Sequence, residues 1–333
     1  MDPLSQAVVG AVVAGCVAKP QTIKPALMLG AIAGMAPDLD VFIRDPQDPL
    51  LFLEYHRQFT HALAFIPVGA ALVTLLVWPL FRRQLSVTSI YWFCFAGYLT
   101  HGLLDACTTY GTQLLWPFST TRVAWDIISI VDPLFTLTLI FCAVLSLKKP
   151  DGRWPLLGLI WIGFYLGFGE WQRQRVTEAA FALAAERGHD PIRLEAKPGF
   201  AQLLVWKSVY EWEEQFFVDG VRAGFSTTTY PGDYIGKIGL KWAEAHLPAN
   251  SQILKDFERF RWFSGDYLAL SPDSDRVVMD VRYSMNVNEI APLWSIKLDA
   301  SKPNEHVVYQ THRTVTTDTW DQFTNMLFGR EDS

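Results

Sequence analysis

Residues 59–81 read FTHALAFIPVGAALVTLLVWPLF, a stretch without Asp, Glu, Lys or Arg. A helix of about 20 apolar residues is long enough to cross the hydrocarbon core of a bilayer. Other apolar stretches occupy residues 88–106, 127–147 and 154–169, and two shorter ones, rich in Gly and Ala, occupy residues 4–18 and 25–36. Small residues allow helices to pack closely in lipid. We therefore predict six membrane helices, two of them short.

The sequence changes character near residue 172, after which charges recur regularly and apolar residues fall in short alternating segments. Alternation of this kind is typical of half-buried strands, and Asp219-Gly220 predicts a two-residue hairpin turn. The expected fold class is an α-helical integral membrane domain of about six helices over residues 1–172, followed by a small soluble α+β domain over residues 173–333. Four histidines of the second domain lack a ligand partner at helical or strand spacing and are expected on its surface: His189, His246, His306 and His312.

Charge and cysteine usage argue against several other classes of protein. The net charge is −6 and there is no tract of Lys and Arg, which argues against nucleic acid as a partner. The four cysteines lie in apolar segments without the spacing of a zinc finger, so we expect buried thiols: Cys16, Cys94, Cys107 and Cys142. The N-terminus lacks the positive region of a signal peptide, so we expect the first apolar stretch to remain in the mature protein.

Positive charges are concentrated in alternate connections between the predicted helices. Cytoplasmic loops of membrane proteins carry an excess of Lys and Arg, which assigns these residues to the cytoplasmic side: Lys19, Lys24, Arg82, Arg83, Lys148, Lys149 and Arg153. The connections at residues 38–61 and 108–126 are then extracytoplasmic. The C-terminal domain is predicted on that side as well, outside a bacterial inner membrane.

Six ionisable residues lie in or beside the apolar stretches, at the end that this topology places outside: Asp38, Asp40, His56, His61, His101 and Asp105. A charge at the centre of a membrane helix costs about 2.5 to 3.5 kcal/mol on insertion scales, so such residues are rare and tend to be functional. Because the six residues come from three separate stretches, we expect them to converge in one polar layer.

The spacing within these stretches indicates how the residues meet. His101 and Asp105 are four residues apart and share one face of a helix. This arrangement suits two ligands of one metal ion, or a histidine hydrogen-bonded to its own carboxylate. Asp38 and Asp40 follow a proline and can turn toward one centre only where the backbone is irregular. Asp132, just before another proline, is expected instead to satisfy backbone groups.

Three segments carry the six residues: MAPDLDVF at 35–42, YHRQFTHAL at 55–63 and THGLLDACTTYGTQLLWPFS at 100–119. In their order and spacing they resemble the membrane-bound metal-dependent hydrolase family, the YdjM-like inner-membrane proteins. The resemblance is strong over residues 1–140 and weak beyond them. Members commonly open with a Thr-His pair, where this chain has Ser5-Gln6. That departure bears on the number of metal ions and on the activity.

The resemblance implies a divalent metal ion, zinc or manganese, with ligands drawn from those six residues, and a hydrolytic reaction. Bound zinc lowers the pKa of its water to about 7 and polarises a phosphoryl or carbonyl oxygen. Asp38 or Asp40 would then act as general base, while Arg57 and Arg122 would stabilise the developing negative charge. A site at the membrane face suits a membrane lipid or a lipid-linked ester, above all a phosphoester.

Two alternatives remain open at this point. His101 could be a covalent nucleophile oriented by Asp105, as in lipid phosphate phosphatases, but the other motifs of that family are absent from this sequence. The polar cluster could also serve a non-catalytic membrane protein as a metal-sensing, transport or structural site. A transport pathway needs polar groups across the whole bilayer, whereas these residues gather at one face.

Overall fold

Helices make up the N-terminal part of the chain, as the apolar stretches predict. The computed structural model describes residues 1–330. Its first seven α-helices are α1 (Pro3–Cys16), α2 (Ile23–Met35), α3 (Leu51–Tyr55), α4 (Ile66–Phe81), α5 (Val87–Ala106), α6 (Pro133–Lys148) and α7 (Arg153–Glu186). Short 3-10 helices flank α2 and precede α4: Pro20–Thr22, Ala36–Phe42, Phe59–His61 and Leu63–Phe65.

Two helical stretches within residues 1–330 are long and apolar enough to cross a membrane, Pro20–Phe42 and Leu63–Phe81. α1 and α6 are apolar but shorter. Large apolar side chains stay exposed along α4, including Leu72, Leu75 and Leu76, which suits a helix surrounded by lipid. The helical character of this region is confirmed, and the total of six membrane crossings stays a prediction.

Two of the predicted helices begin later than their apolar composition indicated. The stretch at 59–81 is interrupted at Ala62, whose backbone is extended, so that α4 begins at Ile66. The stretch at 127–147 becomes helical only after Asp132, which caps α6 by accepting a hydrogen bond from the Phe135 N–H at 3.1 Å. This cap confirms the backbone role expected of Asp132.

Glycine allows α1, α2 and α5 to pack closely around one point. A Cβ atom on Gly30 of α2 would lie 2.3 Å from the Gly10 carbonyl oxygen of α1. On α5, a Cβ atom on Gly97 would lie equally close, at 2.3 Å, to the carbonyl oxygen of Gly30. Small residues let helix backbones approach in this way. The contact fixes the heights of the three helices relative to one another, and these helices carry or support the polar residues.

The C-terminal part contains two four-stranded antiparallel sheets. The first, in the order of the chain, consists of β1 (Arg193–Pro198), β2 (Val205–Trp212), β3 (Gln215–Ala223) and β4 (Thr227–Gly236), and the second of β5 (Leu268–Ser271), β6 (Ser274–Asp280), β7 (Trp294–Lys297) and β8 (Val308–Thr311). Three helices complete it: α8 (Leu240–His246), α9 (Gln252–Phe263) and α10 (Thr317–Phe328). Val209 and Phe216 of the first sheet share one buried cluster with Ala269 and Met279 of the second.

The hairpin turn predicted at Asp219-Gly220 is wrong. Both residues lie inside β3, and the turn between β2 and β3 is Glu213-Glu214, whose φ angles of 45° and 59° suit a two-residue hairpin connection. Asp219 is fully buried and accepts two hydrogen bonds from the Arg187 guanidinium. Its polar side chain therefore serves the interior, which the local sequence does not reveal.

The described chain packs into two units that interrupt each other in sequence. Unit 1 comprises Met1–Ile43, Tyr55–Trp171 and Phe200–Gln202. Unit 2 comprises Arg44–Glu54, Gln172–Gly199 and the chain from Leu203 onward. The segment Arg44–Glu54 thus connects two parts of unit 1 in sequence but packs with unit 2.

Candidate metal centre

Asp38 and Asp40 lie on the 3-10 helix Ala36–Phe42, which continues α2. Pro37 lacks the N–H that an α-helix needs at this point, and a short 3-10 helix tolerates the loss better. The irregular backbone expected after this proline is therefore present. Asp40 is buried, whereas about a quarter of the Asp38 side chain (24%) is exposed.

The segment from His56 to His61 bends sharply around the Asp40 carboxylate. Arg57 has a φ of 67°, in the left-handed region. In this conformation its backbone N–H donates a hydrogen bond to Asp40 Oδ2 at 3.0 Å, and its carbonyl accepts one from Gln113 at 2.9 Å. Thr60 Oγ1 donates to the same Asp40 oxygen at 2.8 Å. Asp40 thus organises the backbone that presents both histidines.

His101 and Asp105 lie on α5, and both are fully buried. Gly102 lets the segment that carries His61 approach this helix, because a Cβ atom there would lie 2.2 Å from the His61 carbonyl oxygen. The two imidazole rings consequently meet edge to face, with centroids 4.5 Å apart.

Four ligand atoms converge between these elements: Asp38 Oδ1, His61 Nε2, His101 Nε2 and Asp105 Oδ2. The two Nε2 atoms are 2.9 Å apart. His61 Nε2 lies 3.5 Å from Asp38 and 3.3 Å from Asp105, and His101 Nε2 lies 3.3 and 3.9 Å from the same two oxygens. Ligands about 2.0 Å from a tetrahedral zinc ion are about 3.3 Å apart. The four atoms therefore have the spacing of a tetrahedral zinc site.

The tautomers of the two histidines follow from their outer contacts. His101 Nδ1 lies 2.5 Å from the Gly34 carbonyl oxygen, which can only accept a hydrogen bond, so Nδ1 carries the proton. His61 Nδ1 lies 3.2 Å from Asp40 Oδ2 and 3.0 Å from Thr60 Oγ1, and the Thr60 hydroxyl already donates to Asp40. The neutral rings thus direct two Nε2 lone pairs at each other. A cation, either a metal ion or an additional proton, is required between them.

Asp105 is held from behind and left open in front. Its Oδ1 accepts a hydrogen bond from Gln6 Nε2 at 2.9 Å and contacts the Met1 amino group. Its Oδ2 has no aligned hydrogen-bond donor, although Arg57 Nε lies 3.0 Å away at ion-pair distance. A buried carboxylate oxygen without a hydrogen bond is costly, and a metal ion between the four ligand atoms would satisfy it.

A second group overlaps the first and contains Asp38, Asp40 and His56. His56 Nδ1 lies 2.7 Å from Asp40 Oδ1, and a third of its side chain (33%) is exposed. Asp40 therefore contacts both His56 and His61 while it binds the backbone. All six residues singled out in the sequence come together in these two groups, and their roles as ligands or catalysts stay predictions.

The remaining residues considered in the sequence lie in other contacts. The Arg122 guanidinium donates to the carbonyl oxygens of Tyr110 and Gly111. The Arg57 guanidinium is buried, with Nη1 3.0 Å from Thr108 Oγ1. Asp132 accepts a hydrogen bond from the Tyr165 hydroxyl at 2.7 Å, in addition to capping α6.

Sequence reasoning missed the residues that hold the ligands in place. Thr60, Gly34 and Gln6 each contact a ligand or its carboxylate partner. Such outer contacts fix the ring orientation and tautomer of metal-bound histidines. Thr60 lies next to His61, which is a usable signal. Gly34 gives none, because it contributes through its backbone oxygen.

The residues present fit a zinc-type ion. Two neutral imidazole nitrogens and two carboxylate oxygens form a ligand set that zinc accepts, and each histidine has the outer hydrogen bond typical of a bound ligand. Asp38 is the ligand with exposed surface, so an exchangeable position would lie on its side.

Comparison with known proteins places the helical region. The sequence model of the YdjM inner membrane protein family matches residues 1–176. The protein YfhP of Bacillus subtilis (strain 168) is 25% identical over 144 residues, which cover 42% of this chain and 43% of YfhP. The match thus spans less than half the length of that relative. No solved structure matches this chain.

Proposed function

This chain belongs to the YdjM inner membrane protein family, as its three motifs predict, and from that premise we propose that it is a metal-dependent hydrolase of a membrane lipid or lipid-linked phosphoester. The observation that carries the proposal is the spacing of four ligand atoms around a point where two histidine lone pairs face each other. The ligands would be Asp38, His61, His101 and Asp105. A bound zinc or manganese ion would supply an activated water and polarise the phosphoryl oxygen.

Asp40 would act as a positioning residue. Its Oδ2 accepts hydrogen bonds from the Arg57 backbone and the Thr60 hydroxyl, and it lies 3.2 Å from His61 Nδ1. A carboxylate behind a metal-bound histidine fixes the ring and raises its basicity as a ligand. These contacts occupy Asp40 and favour Asp38, which has exposed surface, as the carboxylate that takes a proton from the attacking water.

His56 is well placed to protonate the leaving group. Its Nδ1 is held by Asp40 at 2.7 Å, so its other nitrogen is free to face the partly open side of the site. Histidine is the most frequent general acid in enzymes. We assign His56 this role in preference to that of a ligand, because Asp40 already occupies the nitrogen nearest the centre.

Arg57 would act mainly on a ligand. Its guanidinium is buried between Asp105 and Thr108 and lies over the Tyr110 ring, at 5.5 Å from the centroid. In this position its charge would hold Asp105 ionised and offset the negative charge of the ligand set. Direct contact with a developing phosphoryl charge would require the guanidinium to leave these partners.

The substrate class follows from the position of the ligands along the apolar helices. Asp38 and Asp40 lie near the end of the apolar stretch Pro20–Phe42, and His61 lies just before Leu63–Phe81. Leu39 and Phe42, on the same 3-10 helix as the aspartates, are largely exposed. An amphiphile can place its head group at such a site while its tail remains in lipid. We propose that this face, and the C-terminal domain with it, is extracytoplasmic.

A structural metal site is the second candidate. The side chains of His61, His101 and Asp105 have no exposed surface, and structural zinc sites are usually closed to substrate. In that case the chain would bind zinc without hydrolysing an ester, and the partial exposure of Asp38 and His56 would serve no reaction.

The test combines metal content with turnover in the full-length, detergent-purified protein. We expect about one equivalent of zinc or manganese by elemental mass spectrometry, and phosphate release from phosphatidic acid in mixed micelles. A His101→Ala/Asp105→Ala variant of matched helical content should lose both. Near-zero metal in the parent, even after incubation with excess zinc, would refute the proposal. Zinc without turnover on phosphomonoesters and phosphodiesters would leave the structural site as the correct alternative.

His56→Ala separates a general acid from a ligand. The variant should keep its zinc and lose about 10²-fold in turnover of an alkyl phosphoester. With a p-nitrophenyl ester, whose leaving group needs no proton, the loss should be much smaller. Loss of metal in this variant would instead make His56 a ligand.

A further inference from the structure

The segment Arg44–Glu54, called the bridging segment here, joins the two stretches that carry most of the candidate ligands. Asp38 and Asp40 precede it, and His56 and His61 follow it. Although both neighbouring stretches belong to unit 1, the bridging segment packs within unit 2. Its position in unit 2 therefore restrains the two chain ends that enter the site.

One arginine of α9 makes the main polar contacts with this segment. Arg259 donates a bidentate pair of hydrogen bonds to Asp48, with Nη1 to Oδ1 at 2.9 Å and Nη2 to Oδ2 at 2.8 Å. Its Nε donates to Glu54, two residues before His56. A bidentate Arg–carboxylate pair fixes orientation as well as distance. Arg259 thus holds both the middle and the end of the bridging segment.

Arg259 is itself held in place by a buried carboxylate. Asp256, one turn earlier on α9, accepts a hydrogen bond from Arg259 Nη1 at 3.0 Å. It also accepts hydrogen bonds from the Val307 N–H at 3.0 Å and from Gln252 Nε2 at 3.0 Å, and lies 2.9 Å from His306 Nδ1. Removal of the guanidinium would leave Asp48, Glu54 and Asp256 as three neighbouring carboxylates, which repel one another.

The bridging segment is also stiff, so its attachment is transmitted to its ends. Asp45 and Asp48 cap the backbone N–H groups of Gln47 and Leu50 at 2.9 and 3.0 Å. Phe52 packs edge to face on Tyr309 of β8, with centroids 5.3 Å apart. The pKa of Asp48 lies below its ordinary range because the hydrogen bond from Arg259 outweighs the effect of burial.

We infer that Arg259 is a positioning residue for the metal centre: by fixing the bridging segment, unit 2 keeps the two ligand-bearing stretches in the conformation that binds the ion. The inference rests on the proposed function. A ligand set that is assembled only part of the time binds with an affinity reduced by that fraction. If release of the segment lowers the assembled fraction to about one tenth, the apparent Kd for zinc rises about tenfold.

The test measures zinc affinity by chelator competition and hydrogen exchange of residues 44–54, both in the full-length protein. Arg259→Ala should bind zinc about tenfold more weakly, reach the same stoichiometry at saturation, and exchange faster in the bridging segment. Arg259→Lys should fall between Arg259→Ala and the parent. Arg187→Ala is the matched control, because it removes another bidentate Arg–Asp pair of unit 2, with Asp219, and should keep the parental affinity.

The outcomes separate the inference from the proposed function. Faster exchange in Arg259→Ala with unchanged zinc affinity would overturn the inference and leave the metal site intact. A parent protein that binds no zinc would overturn the proposed function and the inference together. If Arg259→Ala does not fold, Asp48→Asn tests the same contact with the guanidinium in place, and parental affinity in that variant would count against the inference.

Discussion

Asp105 of unit 1 and Asp280 of unit 2 are both fully buried, and an arginine lies beside each. The similarity ends at their oxygen atoms. Asp280 accepts hydrogen bonds from Arg282 through the backbone N–H, Nε and Nη2, at 2.7 to 3.1 Å, and Trp294 Nε1 lies 3.3 Å away. Asp105 Oδ2 has no aligned donor and faces two histidine nitrogens instead. The first aspartate is satisfied by the protein, and the second is arranged to share a cation.

This difference indicates how a structural charge pair can be distinguished from a binding site. Both bury charge, which is costly unless donors and acceptors are matched. In unit 2 the matching is complete without any further atom around Asp280. In unit 1 the acceptors outnumber the aligned donors at one point, and this excess marks the site.

The largest effect expected from this comparison is a zinc-dependent stabilisation confined to the unit 1 cluster. At free zinc of about 1,000 times Kd, the parent should gain about 4 kcal/mol in unfolding free energy. His101→Ala should lose this gain, since it removes one of the four ligands. Thermal unfolding in detergent, with and without zinc, measures the gain. An equal shift of the melting temperature in parent and variant would show that zinc acts elsewhere.

The second effect concerns the satisfied pair in unit 2. Asp280→Ala leaves the buried Arg282 guanidinium without its carboxylate and should lower the unfolding free energy by about 3 kcal/mol. The zinc-dependent gain should persist in this variant. Urea unfolding of the full-length protein gives both quantities. The double variant Asp280→Leu/Arg282→Met should recover most of the loss, because apolar residues often replace a buried ion pair without penalty. Failure to recover would mean that Asp280 does more than neutralise Arg282.

The smallest effect concerns Lys207, a buried cation of unit 2. Burial lowers its pKa from 10.5 to about 7, although the Asp280 and Glu289 carboxylates raise it. Between about pH 7 and 10.5 the unfolded chain binds a proton here that the folded protein does not, so stability rises with pH by about 1.4 kcal/mol per pH unit at most. Below pH 7 both states are protonated, and this contribution no longer changes.

Lys207→Met tests this slope, since it removes the titrating group. Urea unfolding at several pH values between 7.5 and 9.5 should give a steeper rise for the parent than for the variant. Parallel curves would show that Lys207 keeps its charge in the folded protein, held by Ser284 Oγ at 2.6 Å and the Glu289 carbonyl oxygen at 2.7 Å. Unit 2 would then satisfy this cation as completely as it satisfies Asp280.

Much of the candidate site was predictable, because apolar stretches make polar residues conspicuous. His101 and Asp105 stand out on α5, and the helical spacing alone places them on one face. The three motifs also identify the family correctly. The hairpin at Asp219-Gly220 was not predictable, because a buried ion pair with Arg187 overrides the turn preference of these two residues. His306, expected on the surface, instead lies 2.9 Å from the buried Asp256, fifty positions away in sequence.

The sequence by itself determined the helical N-terminal region, the set of six polar residues and the family, since each depends on composition or on spacing within one segment. The tertiary structure decided which atoms converge. It separated Asp38, which points at the centre, from Asp40, which holds two histidines, and it attached the segment between them to unit 2. The physical reason is that lone-pair direction depends on contacts such as that of His101 with the Gly34 carbonyl oxygen, made across 67 positions of the chain. No local pattern encodes such a contact.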